Sequence, residues 1–130
     1  MSGFLLNSLL NLLGKLLVRA SQRDRNFRAA LTRDRTVVVA AGDVVHHFHI
    51  QNRNISTGRG MPDSFDCLLR FDTTGLALRT FMSRNRANKI VEGVLAGRAE
   101  IEGNLMTLLW FEGRIQQVLP RIAMCKPHPF

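Results

Sequence analysis

Residues 90–111 read IVEGVLAGRAEIEGNLMTLLWF, and the periodicity of the apolar positions changes twice within them. Ile90, Val91, Val94 and Leu95, with Ala87 before them, share one stripe of a helix that Ser83 or Asn85 can open. Gly97 suits the position that closes such a helix. Arg98 to Glu102 then alternates, with Ala99 and Ile101 on one side and Arg98, Glu100 and Glu102 on the other, the pattern of a half-wetted strand. Gly103 and Asn104 supply a turn and a cap. Leu105 to Phe111 predicts a helix whose apolar surface is wider than a half-exposed helix requires, so something apolar must meet it.

Upstream, Phe65 to Phe71 alternates cleanly: Phe65, Cys67, Leu69 and Phe71 point one way, Asp66, Leu68 and Arg70 the other. Thr73 or Thr74 can cap a short helix carrying Leu78, Phe81 and Met82. Before these, the β-branched run from Thr36 to Ala41, the Gly42-Asp43 turn and the run Val44 to Ile50 predict a hairpin. Asn52 to Asp63 has the composition of a loop or an irregular edge. At the start, Leu5, Leu6, Leu9, Leu10, Leu12, Leu13, Leu16 and Leu17 make Phe4 to Val18 a strongly amphipathic helix, with Asn7, Ser8, Asn11 and Lys15 largely opposite. A short basic helix from Gln22 to Leu31 follows. Past Gly113, a last segment with Ile115, Val118 and Leu119 stops at Pro120. Helix and strand do not alternate as in a doubly wound sheet, so the fold class is α+β, a mostly antiparallel sheet with helices on its dry face. The expected organisation is N-terminal helices over 1–35, a core over 36–120 and a tail over 121–130.

A chain of 130 residues and 14.7 kDa suits one hydrophobic core. Its 45% hydrophobic and 22% charged residues are too apolar for disorder. No apolar run has the length of a membrane-spanning helix, no cleavable leader pattern opens the sequence, and Cys67 and Cys125 form no disulfide or zinc pattern. A cytoplasmic protein, peripheral to membrane at most, is expected. The formal charge of +8 is uneven: residues 1–60 hold nine Lys or Arg against three acids, and residues 61–130 hold nine against seven, hence +6 and +2. Such a field attracts nucleic acid, anionic lipid or an acidic partner. No nucleic-acid-binding motif accompanies it, so nucleic acid ranks last of these.

Chemistry is sparse. The nucleophile-elbow, phosphate-loop, dinucleotide and zinc-protease signatures are all missing. His47 and His49 share a strand face, but two ligands fall short of a metal site. Glu100 and Glu102 could serve acid–base catalysis, yet outward alternation alone accounts for them. His46 falls on the apolar side of its strand, where an imidazole needs a hydrogen-bond partner and could orient a largely apolar ligand. No catalytic residue, metal or cofactor is expected.

The run from Ile90 to Asn104, followed by Leu105, Leu108 and Leu109, resembles the late signature of the sterol carrier protein type 2 family, with Gly97, Arg98, Ile101 and Gly103 at the signature positions. The resemblance covers roughly residues 30 to 120. It implies a five-stranded sheet covered by helices around an apolar tunnel that binds sterols, acyl chains or isoprenoid lipids without chemistry. Asn104 stands where aspartate is usual, and Pro129-Phe130 is no peroxisomal tripeptide, which points to a bacterial relative. Such relatives include free-standing lipid carriers, accessory factors of ubiquinone biosynthesis and domains that recruit amphiphilic substrates for hydrolases.

The expected ligand-binding residues are therefore His46, Phe48, Ile50, Cys67, Leu69, Phe71, Leu78, Phe81, Met82, Ile90, Val94, Leu105, Leu108 and Leu109. Arg23, Arg25, Arg28, Arg33 and Arg35 are expected to meet an anionic headgroup or membrane surface. The expected function is non-catalytic binding or carriage of a hydrophobic lipid. The alternative is an interaction module that homodimerises through the leucine-rich helix and has no cavity.

Overall fold

A computed structural model of the chain describes residues 2–118. The expected stop at Leu119 and Pro120, the tail and Cys125 lie outside the described residues. Helix α1 (Ser2–Arg23) leads through Asp24, whose carboxylate accepts from the Asn26 and Phe27 amides, into the short α2 (Arg25–Ala29). Strands β1 (Arg35–Ala41), β2 (Val44–Gln51), β3 (Asn54–Arg59) and β4 (Cys67–Phe71) follow, then α3 (Thr74–Met82), α4 (Arg86–Leu95), β5 (Ala99–Gly103) and α5 (Leu105–Val118).

The sheet has the order β3-β2-β1-β4-β5. β1·β2, β2·β3 and β4·β5 pair antiparallel, while β1 and β4 at the centre run parallel, so the sheet is mixed. The cause is the connection 60–66, which crosses the outer face of the sheet so that β4 starts beside the start of β1. Phe65 packs there on Val38, Ala40 and Leu68, and the Asp66 amide donates to the Thr36 carbonyl at 2.8 Å.

Of the loop or irregular edge expected over Asn52 to Asp63, the edge is what forms: β3 is a regular edge strand, followed by the connection 60–66. An edge strand needs few inward side chains, and only Ile55 is buried. Its hairpin with β2 turns on Asn52 and Arg53, with φ of 53° and 64°, the primed geometry that an Asn-Gly pair would have advertised. α1 guards this edge: Ser21 Oγ accepts from the Ile55 amide at 3.4 Å, and a Cβ on Gly14 would stand 2.9 Å from Thr57 Oγ1.

The five helices among the described residues all turn apolar side chains toward one core. Leu6, Leu10, Leu13 and Leu17 of α1 meet the inner sheet face of Val37, Val39, Phe48, Ile50, Cys67, Leu69 and Phe71, with Phe81 of α3, Ile90 of α4 and Leu108, Phe111 and Ile115 of α5. α5 runs straight through Gly113, so the separate last segment expected there is part of one helix. The signature glycines sit where only glycine is at ease. Gly97 follows α4 at φ +74°, and Gly103 has φ +93° with the Asp66 carbonyl where a Cβ would go. Asn104 does the capping expected of it, accepting from the Met106 amide at 2.8 Å.

Candidate functional site

Of the expected ligand-binding residues, Phe48, Ile50, Cys67, Leu69, Phe71, Phe81, Ile90 and Leu108 lie together in the core between sheet and helices. His46 is buried on the same sheet face. Leu78 is half-buried. Met82, Val94, Leu105 and Leu109 stand outside, exposed on α3, α4 and α5 beside Val91, Leu95 and Met106. The apolar surface of α5 is thus divided. Leu108 and Phe111 face the sheet, Trp110 reaches the end of α2 by donating Nε1–H to the Ala30 carbonyl at 3.2 Å, and Leu105, Met106 and Leu109 face outward.

His46 is satisfied within the chain. Its Nε2 lies 2.6 Å from Asn7 Oδ1, which makes Nε2–H the donor. Burial, with Arg59 and His47 adding, holds its pKa below the ordinary 6.5, so the ring is neutral. His47 bonds the Gly60 carbonyl and His49 the Thr36 hydroxyl on the outer sheet face. Cys67 is buried, and its thiol is pushed up to about 11, mainly by desolvation and then by Asp66.

Under α4 and α5, a crevice walled by Val39, Leu69, Phe81, Arg86, Ile90, Leu108, Phe111, Glu112 and Ile115 leaves a cavity of about 10 Å³. That is the threshold for one water and corrects the expectation of an open tunnel. Two of its walls are charged. Arg86 is 5% exposed; its Nη1 donates to the Phe81 and Ser83 carbonyls at 3.1 and 2.9 Å, the free end of α3. Its Nε faces Glu112 Oε2 at 3.5 Å, an ion pair that is electrostatically favourable but too long and too bent to be a good hydrogen bond. One side chain therefore joins the three helices that roof the crevice. The sequence did carry a signal for it: Arg86 stands four residues before Ile90, on the apolar stripe of its helix.

The basic residues separate into two groups. Arg28 donates to the Ser21 carbonyl at 3.1 Å and to Asn54 Oδ1 at 3.4 Å, and Arg35 stacks 4.2 Å from the Trp110 ring centre, so both serve the fold. Arg33 is exposed. Arg23 and Arg25, with Arg19, Leu16, Ala20 and Val118, line a shallow groove of about 490 Å³ between the α1–α2 elbow and the end of α5. By length and composition Gly3–Arg23 is apolar enough to cross a membrane, but its inner leucine stripe is packed in the core of its own chain.

A five-stranded mixed sheet with helices over one face, in this order, is a sterol-carrier-like fold. Among solved structures, that of a UbiJ-SCP2 ubiquinone synthesis protein matches with a TM-score of 0.59 and 14% identity, over 96% of this chain and 95% of that one. A double mutant of the sec-alkyl sulfatase PisA1 matches with a TM-score of 0.51 and 16% identity over 67% of this chain, which spans 14% of the sulfatase. No protein-family model matches the sequence, and no curated protein matches it.

Proposed function

We propose that the protein is a non-catalytic lipid-binding accessory protein that takes the apolar chain of a fatty acyl, sterol-like or isoprenoid molecule between its sheet and α4–α5. The observation that carries this reading is the crevice itself: aliphatic and aromatic walls with one charged pair, set in a sterol-carrier-like fold, under two helices that also expose Val91, Val94, Leu95, Leu105, Met106 and Leu109. The space of about 10 Å³ describes a closed form, and binding requires α4 to move outward. α4 contributes only two buried residues, Ile90 and Arg86, so its displacement costs little apolar packing, and Arg86 is the tether to α3 and α5 that a bound form has to keep or remake. Each ligand methylene taken from water contributes about 0.8 kcal/mol, so a twelve-carbon chain supplies roughly 10 kcal/mol against the costs of opening and immobilisation. Because the UbiJ-SCP2 neighbour is described as a ubiquinone synthesis protein, a polyprenylated ring compound is the first ligand to try. The groove of Arg19, Arg23 and Arg25, with exposed Arg33 nearby in sequence, serves contact with an anionic headgroup or membrane surface.

Native mass spectrometry of protein purified from cells, with extraction of bound small molecules, tests the proposal. A lipid-mass adduct is expected. Protein that is lipid-free and takes up neither a fluorescent fatty acid nor Nile red overturns it.

A further inference from the structure

The crevice wall is apolar except at Arg86 and Glu112, and the chemistry of that pair selects among ligands. Arg86 is nine-tenths buried, its charge is matched by Glu112, and Nη1 is committed to the two α3 carbonyls. Of the other donors, Nε–H lies on the crevice wall, buried and held only by the long 3.5 Å contact to Glu112 Oε2, outside hydrogen-bond geometry. Such a donor loses free energy until an acceptor arrives, and a ligand oxygen entering the crevice is well placed to be that acceptor. The charge balance decides which oxygen. A second carboxylate beside Glu112 would meet repulsion and leave one negative charge uncompensated in a nearly dry site. A neutral oxygen leaves the ion pair intact.

We propose that Arg86 Nε is the polar anchor of the crevice, and that it binds lipids whose head is a neutral carbonyl oxygen, as in a ketone, quinone or ester, in preference to free fatty acids and plain hydrocarbons. The inference rests on the lipid-binding reading and narrows its substrate class. Glu112, which also accepts from Gln116 Nε2 at 3.1 Å, is the selectivity element that keeps carboxylates out.

Displacement of Nile red by dodecane, methyl laurate and laurate, three probes with similar chains, tests this on the full chain. Wild-type protein should prefer methyl laurate to dodecane by about tenfold, the effect of one hydrogen bond to a charged donor, and to laurate by a similar factor. Joint replacement Arg86→Met with Glu112→Leu exchanges the pair for apolar side chains of similar reach and should collapse the ester-to-hydrocarbon ratio toward one. Glu112→Gln alone leaves the cation uncompensated and should move the preference to laurate. If the three probes bind wild type alike, or the ester preference survives the joint replacement, the anchor is wrong and the lipid-binding reading stands. If laurate is already preferred by wild type, the neutral-head assignment is wrong. If Nile red binds but no probe displaces it, the anchor is wrong; if the protein is lipid-free and binds neither Nile red nor a fluorescent fatty acid, both readings fall.

Discussion

The core beneath α1 and the core beneath α4 share one sheet but are closed in different ways. Under α1, Leu6, Leu10, Leu13 and Leu17 are all fully buried, and the polar pair in that region, His46 and Asn7, is neutral and joined at 2.6 Å. Under α4, two residues are buried, one of them is an arginine, and its contact with Glu112 is long at 3.5 Å. A neutral hydrogen-bonded pair can be sealed into a core with little residual cost, whereas a buried ion pair recovers its desolvation penalty only with excellent geometry. The α1 half is therefore built to stay shut. The α4 half is closed by fewer buried side chains of its covering helix and by a long ion pair, so on the proposed reading it is the half that opens.

Truncation in each half gives the largest contrast. Leu10→Ala removes a fully buried side chain from the packed half and should lower stability to urea by about 3–5 kcal/mol. Leu109→Ala, on a residue 46% exposed on the outward side of α5, should change stability by less than about 1 kcal/mol. Equal losses of stability from the two would show that α5 is packed as tightly as α1 and would remove the distinction.

The same contrast explains what could be read from the sequence. The leucine stripe of α1, the alternation in β4 and β5 and the glycine-dependent turns are local patterns, and a fold with one helix-covered face follows from them. β3 was hidden because an edge strand with Ile55 as its single buried residue carries no alternation, and because Arg53 occupies the turn position where glycine would have signalled a hairpin. The central parallel pairing was hidden because it depends on which face the 60–66 connection crosses, a matter of tertiary packing by Phe65. Of the apolar crevice walls, Leu69, Phe81, Ile90 and Leu108 were among the residues expected from periodicity and the family resemblance, whereas Val39, Phe111 and Ile115 were not. Nor were Arg86 and Glu112, because a charged residue on an apolar stripe looks like an interruption until another helix supplies its partner. Placing Met82, Val94, Leu105 and Leu109 inside the crevice failed for a related reason: amphipathic stripes here are wider than the face the sheet can cover, and the surplus remains outside.

The neutral state of His46 makes the seal on the packed half sensitive to acid. Because its folded pKa lies below 6.5, the unfolded chain takes up the proton first as the pH falls. The stability contributed by the neutral ring is complete above about pH 6.5 and is lost as the pH drops from there through the lower folded value. His46→Gln retains a donor toward Asn7 but cannot titrate, so the difference in urea midpoint between about pH 7.5 and pH 5.5 should shrink in this variant. An unchanged difference would mean that the imidazole is solvated in the folded state and that the α1 half is more open than its packing indicates.

The smallest effect belongs to the surface of the packed half, where arginines that look alike in sequence have different surroundings. Arg23 and Arg25 line the groove at the α1–α2 elbow, whereas Arg28 is held by Ser21 and Asn54. A basic side chain near an anionic bilayer contributes about 1 kcal/mol, and exposed charges are screened beyond about 10 Å at 0.1 M salt. Joint replacement Arg23→Ser with Arg25→Ser should therefore weaken binding to phosphatidylglycerol vesicles by roughly thirtyfold at low ionic strength and have little effect at high salt. Arg28→Ala should instead lower stability by about 1 kcal/mol, through loss of its hydrogen bonds, with a smaller effect on vesicle binding. Vesicle binding that is indifferent to salt, or equally reduced by all three replacements, would detach membrane contact from the groove and leave the basic surface of the packed half without the role assigned to it.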